Sequence, residues 1–258
     1  MLAAADITYM DITAWQWAVM CLCAVLVGLS KTGLPGVGIL NVTLLAVIFE
    51  AKASTGILLP MLAFADLFAV AYYKRHAQWA HILRLLPPAL AGIAAGSLLI
   101  RRLENAQVGP LIGVMVLAML GLNYWRMYRL KDPESVPSHW SFAAGMGFAA
   151  GLTTQLANAA GPIMAIYLLA MRFDKNKFIG TAAWYFLILN WLKLPIFISE
   201  GRINAESLKA VAFVLPMVIV GVVLGIILLK KLPQKWFNIS VTVLVIAAAI
   251  KLIITPFL

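Results

Sequence analysis

Long apolar runs separated by short polar or basic islands make up almost the whole chain. Ten runs can be marked, at roughly 14–30, 34–49, 54–73, 82–100, 107–125, 140–157, 161–171, 178–198, 207–229 and 236–254. Most of them reach the length of about 20 residues with which an α-helix crosses the hydrocarbon core of a bilayer. The pattern therefore predicts an all-α, polytopic membrane protein with the lipid bilayer as its first partner.

Composition strengthens this prediction. Of the 258 residues, 63% are apolar and 12% are charged, against about 45–50% and about 25% in an average soluble domain. The net charge of +10 does not indicate nucleic-acid binding, because most Lys and Arg lie in short loops such as Lys74-Arg75 and Lys230-Lys231. Basic loops beside apolar runs set the orientation of a membrane protein.

Counting those basic residues predicts which side each loop faces. With the N-terminus outside, twelve Lys and Arg fall on the inner side and six on the outer side, while Lys31 and Lys193 stay at membrane depth. The excess favours both termini outside, although the outer pair Arg101-Arg102 opposes it. No basic residue precedes the first apolar run, so no cleaved signal peptide is expected.

The two halves of the chain resemble one another. A shift of 129 residues places Gly92, Gly96 and Arg101-Arg102 on Gly221, Gly225 and Lys230-Lys231, and a shift of 124 or 125 relates the beginnings of the halves. We therefore divide the chain into repeats at 1–130 and 131–258. Because each holds five segments, an odd number, the repeats are expected to be inverted. The number of membrane crossings in each repeat stays odd if each opening pair is a re-entrant hairpin instead of two crossings.

A stretch rich in helix breakers interrupts the opening pair in each repeat, at residues 30–36 and 155–162. Irregular backbone at membrane depth is tolerated only inside protein or beside a wet cavity. Two helix N-termini, at Gly36 and Gly161, would then point at one midplane site, and their dipoles favour an anion. The alternative is that both stretches are ordinary surface loops. The candidate polar and glycine residues of these links are Thr32, Gly33, Gln155 and Asn158.

Three ionisable residues lie where lipid penalises charge: Lys31, Asp66 and Lys193. Such residues normally face a cavity or a partner. The two Lys and the nearby Asn190 are candidate anion-binding residues, unless Lys193 snorkels to the outer surface. Asp66 either couples transport to protons or forms a structural ion pair with one of the Lys, and both interpretations remain open.

Enzyme signatures are missing from the chain. The stretch Ser30-Lys31-Thr32 is similar to a phosphate loop but lacks the Gly that must precede the Lys. His76, His81 and His139 form no ligand cluster, and Cys21 and Cys23 point to different sides of a helix. We therefore expect a protein without catalytic residues, cofactor or metal.

The sequence resembles the TauE/SafE family of sulfite and organosulfonate exporters. The resemblance rests on Gly28-Leu29-Ser30-Lys31-Thr32-Gly33-Leu34-Pro35-Gly36, on Asn158-Ala159-Ala160-Gly161-Pro162, and on a Gly-x-x-x-Gly helix that ends in a basic pair in each half. The family's opening is usually richer in Gly than it is here. The resemblance implies a bacterial cytoplasmic membrane protein that moves a small sulfur oxyanion or sulfonate, commonly outward.

The leading hypothesis is therefore a secondary anion transporter that works by alternating access. The alternatives are an anion channel, an uptake permease for a small carboxylate or sulfonate, and a membrane enzyme acting on a lipid or acyl substrate. The sequence leaves open the identity of the anion, the direction of transport, the coupling ion and whether the protein forms a homodimer.

Overall fold

The computed structural model describes residues 12–34, 37–49, 51–100 and 139–233, with scattered positions at 102–118 and 235–254. Every regular element in these residues is helical. Five helices of the described part are long and apolar enough to cross a membrane. The prediction of an all-α membrane protein is confirmed, while the predicted segments 107–125 and 236–254 lie largely outside the described residues.

Eight α-helices can be followed in the described part of the chain. They are α1 (Ala14–Thr32), α2 (Ile39–Ile48), α3 (Ala51–Tyr73), α4 (Trp79–Leu99), α5 (Trp140–Ala157), α6 (Gly161–Ala170), α7 (Lys175–Ser199) and α8 (Ala205–Lys231). A short 3₁₀ turn, Lys74–His76, follows α3. The helices α2 and α6 have ten residues each, which is too short to cross a bilayer.

The first breaker stretch starts later than the sequence predicts. Helix α1 continues through Thr32, because neither Lys31 nor Thr32 breaks a helix, and it ends at Gly33, whose N–H donates to the Leu29 carbonyl at 2.8 Å. The expectation that Lys31 and Thr32 lie in an irregular link is therefore wrong. The next helix begins at Ile39, and Gly36 lies outside the described residues.

The second breaker stretch also starts later than the sequence predicts, because Gln155 still lies within α5, but the predicted start of the next helix is confirmed. Helix α5 ends in Asn158, which has the left-handed backbone angles φ 55 and ψ 29 and donates its N–H to the Thr154 carbonyl at 3.0 Å. Asn tolerates this conformation better than most residues, since its short polar side chain bonds locally. Helix α6 then begins at Gly161, with Pro162 in its first turn, where the missing N–H of Pro does no harm.

The chain divides into two compact units. The first unit contains Met1–Arg75 and Ala183–Leu232, and the second contains His76–Ala182 and Pro233–Leu258. Each unit combines segments from both halves of the sequence, and the long helix α7 contributes to both. The repeats at 1–130 and 131–258 remain a prediction about sequence, because a compact unit and a repeat are different divisions of the chain.

Close backbone packing joins α1 and α8 in the first unit. A Cβ atom added at Gly28 would overlap the Val218 carbonyl, and one added at Gly221 would overlap the Val25 carbonyl. At Gly225 it would overlap the hydroxyl of Thr32. Glycine is required at these positions because the two backbones touch, which is how small residues bring membrane helices together.

Helices α4 and α5 pack in the same way in the second unit. A Cβ at Gly92 would overlap the Phe148 carbonyl, and one at Gly151 would overlap the Ala89 carbonyl. A Cβ at Gly96 would lie 2.8 Å from Cβ of Gln155. The Gly-x-x-x-Gly motif of each half is therefore a helix-packing surface.

These two interfaces correspond contact by contact. The pair Gly28–Val218 matches Gly151–Ala89, since 151 − 28 is 123 and 218 − 89 is 129. The shift of 129 is the one found in the sequence. The shift of 123 is one or two residues smaller than the 124 or 125 that sequence matching indicates. The repetition is thus present in the packing as well as in the sequence, while the inversion of the halves remains a prediction.

An aspartate caps the start of α7. Asp174 Oδ1 accepts hydrogen bonds from the N–H groups of Asn176 at 3.1 Å and Lys177 at 3.0 Å. Partial burial acts to raise the pKa of this carboxyl, but the bonds from Lys177 and Asn176 outweigh it and hold the pKa below the ordinary value of 3.8. A lowered carboxyl pKa stabilises the fold above that ordinary value, and the stabilisation is lost as pH falls through the folded-state pKa.

Replacing Asp174 by Ala should destabilise the protein by about 1 kcal/mol, because two N–H groups of the first turn lose their acceptor. The measurement is the apparent melting temperature of purified protein in detergent at neutral pH. The matched control is Asp174→Asn, which keeps the capping oxygen and should retain most of the stability. Equal melting temperatures for wild type and Asp174→Ala would contradict the capping role.

Candidate functional site

Charged side chains are buried inside the first unit. Lys31 is 10% exposed at its side chain and Asp66 is fully buried, as is Lys193. All three lie in helices that are long and apolar enough to cross a membrane. Since a charge at such depth costs at least a few kcal/mol, it needs compensation from its surroundings.

Asp66 on α3 is the centre of this cluster. Its Oδ1 lies 2.8 Å from Nζ of Lys31 on α1, and its Oδ2 accepts a hydrogen bond of 2.7 Å from Nδ2 of Asn190 on α7. Three helices thus contribute one residue each, and both carboxylate oxygens have a donor. Charge-assisted bonds of this kind are about twice as strong as neutral ones.

An aromatic ring lies close to each of the two ammonium groups. Nζ of Lys31 lies 4.2 Å from the ring centroid of Phe186, and Nζ of Lys193 lies 5.5 Å from that of Phe197. Such cation–π contacts compensate part of the lost hydration. Phe186, Asn190, Lys193 and Phe197 follow the spacing i, i+4, i+7, i+11, so they form one face of α7.

Lys193 belongs to the same electrostatic cluster. The charges of Lys31, Arg202 and Asp66 act on it, and its side chain has no exposed surface. It therefore does not snorkel to the surface of the protein, the alternative that its sequence position allowed. When all are ionised, the two ammonium groups and the one carboxylate sum to a charge of +1.

Thr32 and Gly33 lie where α1 packs against α8. The Thr32 hydroxyl lies within hydrogen-bond distance of two backbone carbonyls, Gly28 at 3.0 Å and Val222 at 2.9 Å. Its single hydrogen is therefore engaged in helix packing. The N–H of Gly33 is bonded to Leu29, and a Cβ at Gly33 would lie 2.7 Å from Cα of Gly225. Both residues allow α1 and α8 to approach closely.

The other predicted binding residues lie in the second unit, except Gly36, which lies outside the described residues. Nε2 of Gln155 donates to Oγ of Ser97 at 2.9 Å, and Asn158 forms the end of α5. Gly161 begins α6, and the preceding Ala160 has no side chain that caps the helix. The first turn of α6 therefore presents N–H groups that its own cap residue does not satisfy.

Sequence reasoning missed two aromatic residues of the cluster and one further buried polar residue of the first unit. Phe186 and Phe197 were detectable, because they share a helical face with Asn190 and Lys193. Asn41 was also detectable as one of two polar residues in the apolar stretch 37–49. It is fully buried in α2.

The described part of the chain contains no group of three or more His, Cys, Asp or Glu that could hold a metal ion. One of the predicted non-ligand histidines, His81, lies with Nδ1 2.8 Å from the hydroxyl of Tyr167. It also packs edge-on against the ring of Phe173. These contacts give His81 a structural role within the second unit.

The fold and the buried cluster define a polytopic membrane protein with charged groups held between its helices. The model of the Sulfite exporter TauE/SafE family matches residues 20–252. The match covers nearly the whole chain, so the chain belongs to this family, and the resemblance seen in the sequence is confirmed. Neither the comparison with curated proteins nor the comparison with solved structures found a match.

Proposed function

We propose that the protein is a secondary transporter that exports a small sulfur-containing anion, either sulfite or an organosulfonate, by alternating access. Membership of the sulfite exporter family supports the substrate class. The observation that carries the proposal is the buried cluster in which Lys31 and Asn190 hold Asp66 while Lys193 lies nearby. We place the protein in the bacterial cytoplasmic membrane with both termini outside.

The charge of the cluster fits a monovalent anion. With Lys193 protonated, two ammonium groups and one carboxylate carry a charge of +1, and an anion of charge −1 neutralises it. A sulfonate spreads its charge over three oxygens, so it matches several N–H donors in a way that needs no metal. Neutralising a buried charge removes much of its desolvation penalty, which gives the site a reason to prefer anions over neutral solutes.

Gln155, Asn158 and the start of α6 at Gly161 are proposed to bind the anion as well. The N-terminus of a helix favours negative charge, and the N-cap Ala160 makes no side-chain hydrogen bond to the first N–H groups of α6. Gln155 and Asn158 precede that turn in sequence and carry amide donors. This set adds hydrogen bonds without adding charge.

The Lys31–Asp66 pair offers a coupling mechanism. An anion that binds Lys31 competes with Asp66 for the same ammonium group. A carboxylate that loses its cation in an apolar interior gains affinity for a proton. We propose that the anion and a proton bind at this pair together and cross together, so that Asp66 couples transport to the proton gradient. A purely structural ion pair is the competing explanation.

The decisive experiment measures flux of sulfite and a simple sulfonate in proteoliposomes against an opposing substrate gradient. A proton gradient should drive the wild-type protein to accumulate substrate, whereas a channel only dissipates the gradient. Lys193→Met should reduce the flux about 10–100-fold, because a hydrogen bond to a charged group contributes about 1.5–3 kcal/mol. The matched control is Lys209→Met, whose Lys is 65% exposed and pairs with Glu206 on the surface. It should transport normally.

Three results would count against the proposal. If the substrate concentration never rises above its equilibrium value, the protein is a channel. If substrate moves uphill in the inward direction alone, the protein is an uptake permease. No flux of any sulfur anion refutes the substrate class.

A further inference from the structure

Asn41 is a fully buried amide whose hydrogen-bonding groups have no partner. Its side chain has no exposed surface, and neither Nδ2 nor Oδ1 meets a donor or acceptor in the described part of the protein. Most buried side-chain polar atoms do have a partner, so an exception needs an explanation. Two orphan atoms on one amide, one a donor and one an acceptor, point to a group that binds there.

The position of Asn41 directs this amide towards the start of α2. The helix begins at Ile39 after the N-cap Gly38, so Asn41 is the third residue of its first turn. Side chains in a helix tilt towards the N-terminus, where the helix dipole favours an anion. The N–H of Asn41 closes a tight turn onto Gly38 at 3.2 Å. The side-chain amide, rather than this N–H, is therefore the group left for a ligand.

The same turn lies beside the end of α1. A Cβ atom added at Gly38 would lie 3.0 Å from Oγ of Ser30, and Ser30 immediately precedes Lys31 in the last turns of that helix. The start of α2 therefore packs against the part of α1 that carries the ion-paired Lys. All of these residues belong to the first unit.

We propose that Asn41 is a specificity-determining residue of the anion site, and that it selects a small monoanion that carries an O–H or N–H group besides its acidic oxygens. This inference rests on the proposed transport function and identifies its substrate more closely. Nδ2 donates to an oxygen of the anion, while Oδ1 accepts only from a hydrogen on the ligand. Hydrogensulfite and hydroxyalkyl- or aminoalkylsulfonates satisfy both atoms, whereas a fully deprotonated oxyanion leaves Oδ1 unpaired against negative charge.

A purely structural explanation makes the opposite prediction. If nothing binds at Asn41, its amide only destabilises the fold, and a Leu of similar size should stabilise the protein and leave anion binding unchanged. If the amide binds the substrate, Leu should remove the discrimination between ligands that differ in one hydroxyl. A site built to hydrogen-bond a substrate hydroxyl rejects the analogue that lacks it.

The test titrates the full-length protein in detergent with 2-hydroxyethanesulfonate and with ethanesulfonate, which differ only in that hydroxyl. The wild type should bind the hydroxylated ligand about tenfold or more tightly. In Asn41→Leu the preference should fall to within about twofold. The control is Tyr185→Phe, which removes a different buried polar group, a hydroxyl without a partner among the described residues, and should keep the wild-type preference.

A second variant keeps the test decisive if Asn41→Leu does not fold. Asn41→Ala removes both amide atoms without adding bulk, so the preference for 2-hydroxyethanesulfonate should likewise fall to within about twofold. Equal affinities in the wild type, or an unchanged preference in Asn41→Leu, overturn the inference. So does an unchanged preference in Asn41→Ala. Binding that needs Lys31 but ignores Asn41 refutes this inference alone, whereas no binding of either anion to wild type refutes the transport function and the inference with it.

Discussion

Lys31→Met should destabilise the protein by about 3–5 kcal/mol, the usual effect of removing one partner of a buried ion pair. The Asp66 carboxylate would remain fully buried with only the amide of Asn190 as a donor. An uncompensated carboxylate at this depth either unfolds the surrounding helices or takes up a proton. The expected observation is a large drop in the apparent melting temperature in detergent, with loss of sulfite and sulfonate flux.

The double variant Lys31→Met/Asp66→Asn should separate stability from function. It removes both charges and leaves an amide opposite Asn190, so most of the lost stability should return, as neutral replacements of buried ion pairs often show. Transport should not return, because the cation that binds the anion is still missing. Stability and flux therefore move apart in this variant, which a purely structural ion pair cannot produce.

The matched control for this cycle is the exposed pair on α8. Nζ of Lys209 lies 2.7 Å from Oε1 of Glu206, almost the same distance as in the buried pair, but in contact with solvent. Neutralising it should change neither melting temperature nor flux appreciably, since exposed pairs contribute little. Normal transport by Lys31→Met/Asp66→Asn would reduce the buried pair to a structural role and leave Lys193 as the remaining cationic candidate.

The members of the buried cluster could be found from sequence, but their pairing could not. Lys31, Asp66 and Lys193 stand out because ionisable residues inside apolar runs need a reason to be there. Asp66 was compatible with either Lys. The choice depends on how far apart α1, α3 and α7 lie, and that distance follows from packing between segments remote in sequence. The ring of Phe186, which also holds Lys31, depends on the same packing.

The glycines show a second limit of sequence reasoning. The sequence does not distinguish a Gly that ends a helix from a Gly that allows a neighbouring backbone to approach closely. Gly33 has both roles, because α1 ends there and a Cβ atom at Gly33 would be in close contact with the backbone of Gly225. Thr32 was likewise expected to bind an anion, yet its hydroxyl hydrogen is engaged by backbone carbonyls. The Gly-x-x-x-Gly motifs were more informative, because their spacing on a helix face is typical of packing.

Two glycines on the same helix should respond to Ala in opposite directions. At Gly151 a Cβ would overlap the backbone of Ala89 on α4, while at Gly145 it would meet nothing within 4 Å. Gly151→Ala must push two helix backbones apart, and overpacking typically costs about 1–3 kcal/mol, sometimes more. Gly145→Ala should instead stabilise α5 by about 0.5–1 kcal/mol, because Ala loses less backbone entropy in a helix.

The repeated packing extends this prediction to the first unit. Gly28 faces the Val218 carbonyl as Gly151 faces that of Ala89, so Gly28→Ala should lower the apparent melting temperature by an amount similar to Gly151→Ala. The measurement is thermal unfolding of the three single variants in one detergent. If Gly28→Ala and Gly151→Ala were as stable as Gly145→Ala, the helices would not be in backbone contact. The correspondence between the two interfaces would then have to be abandoned, because it rests on those same overlaps.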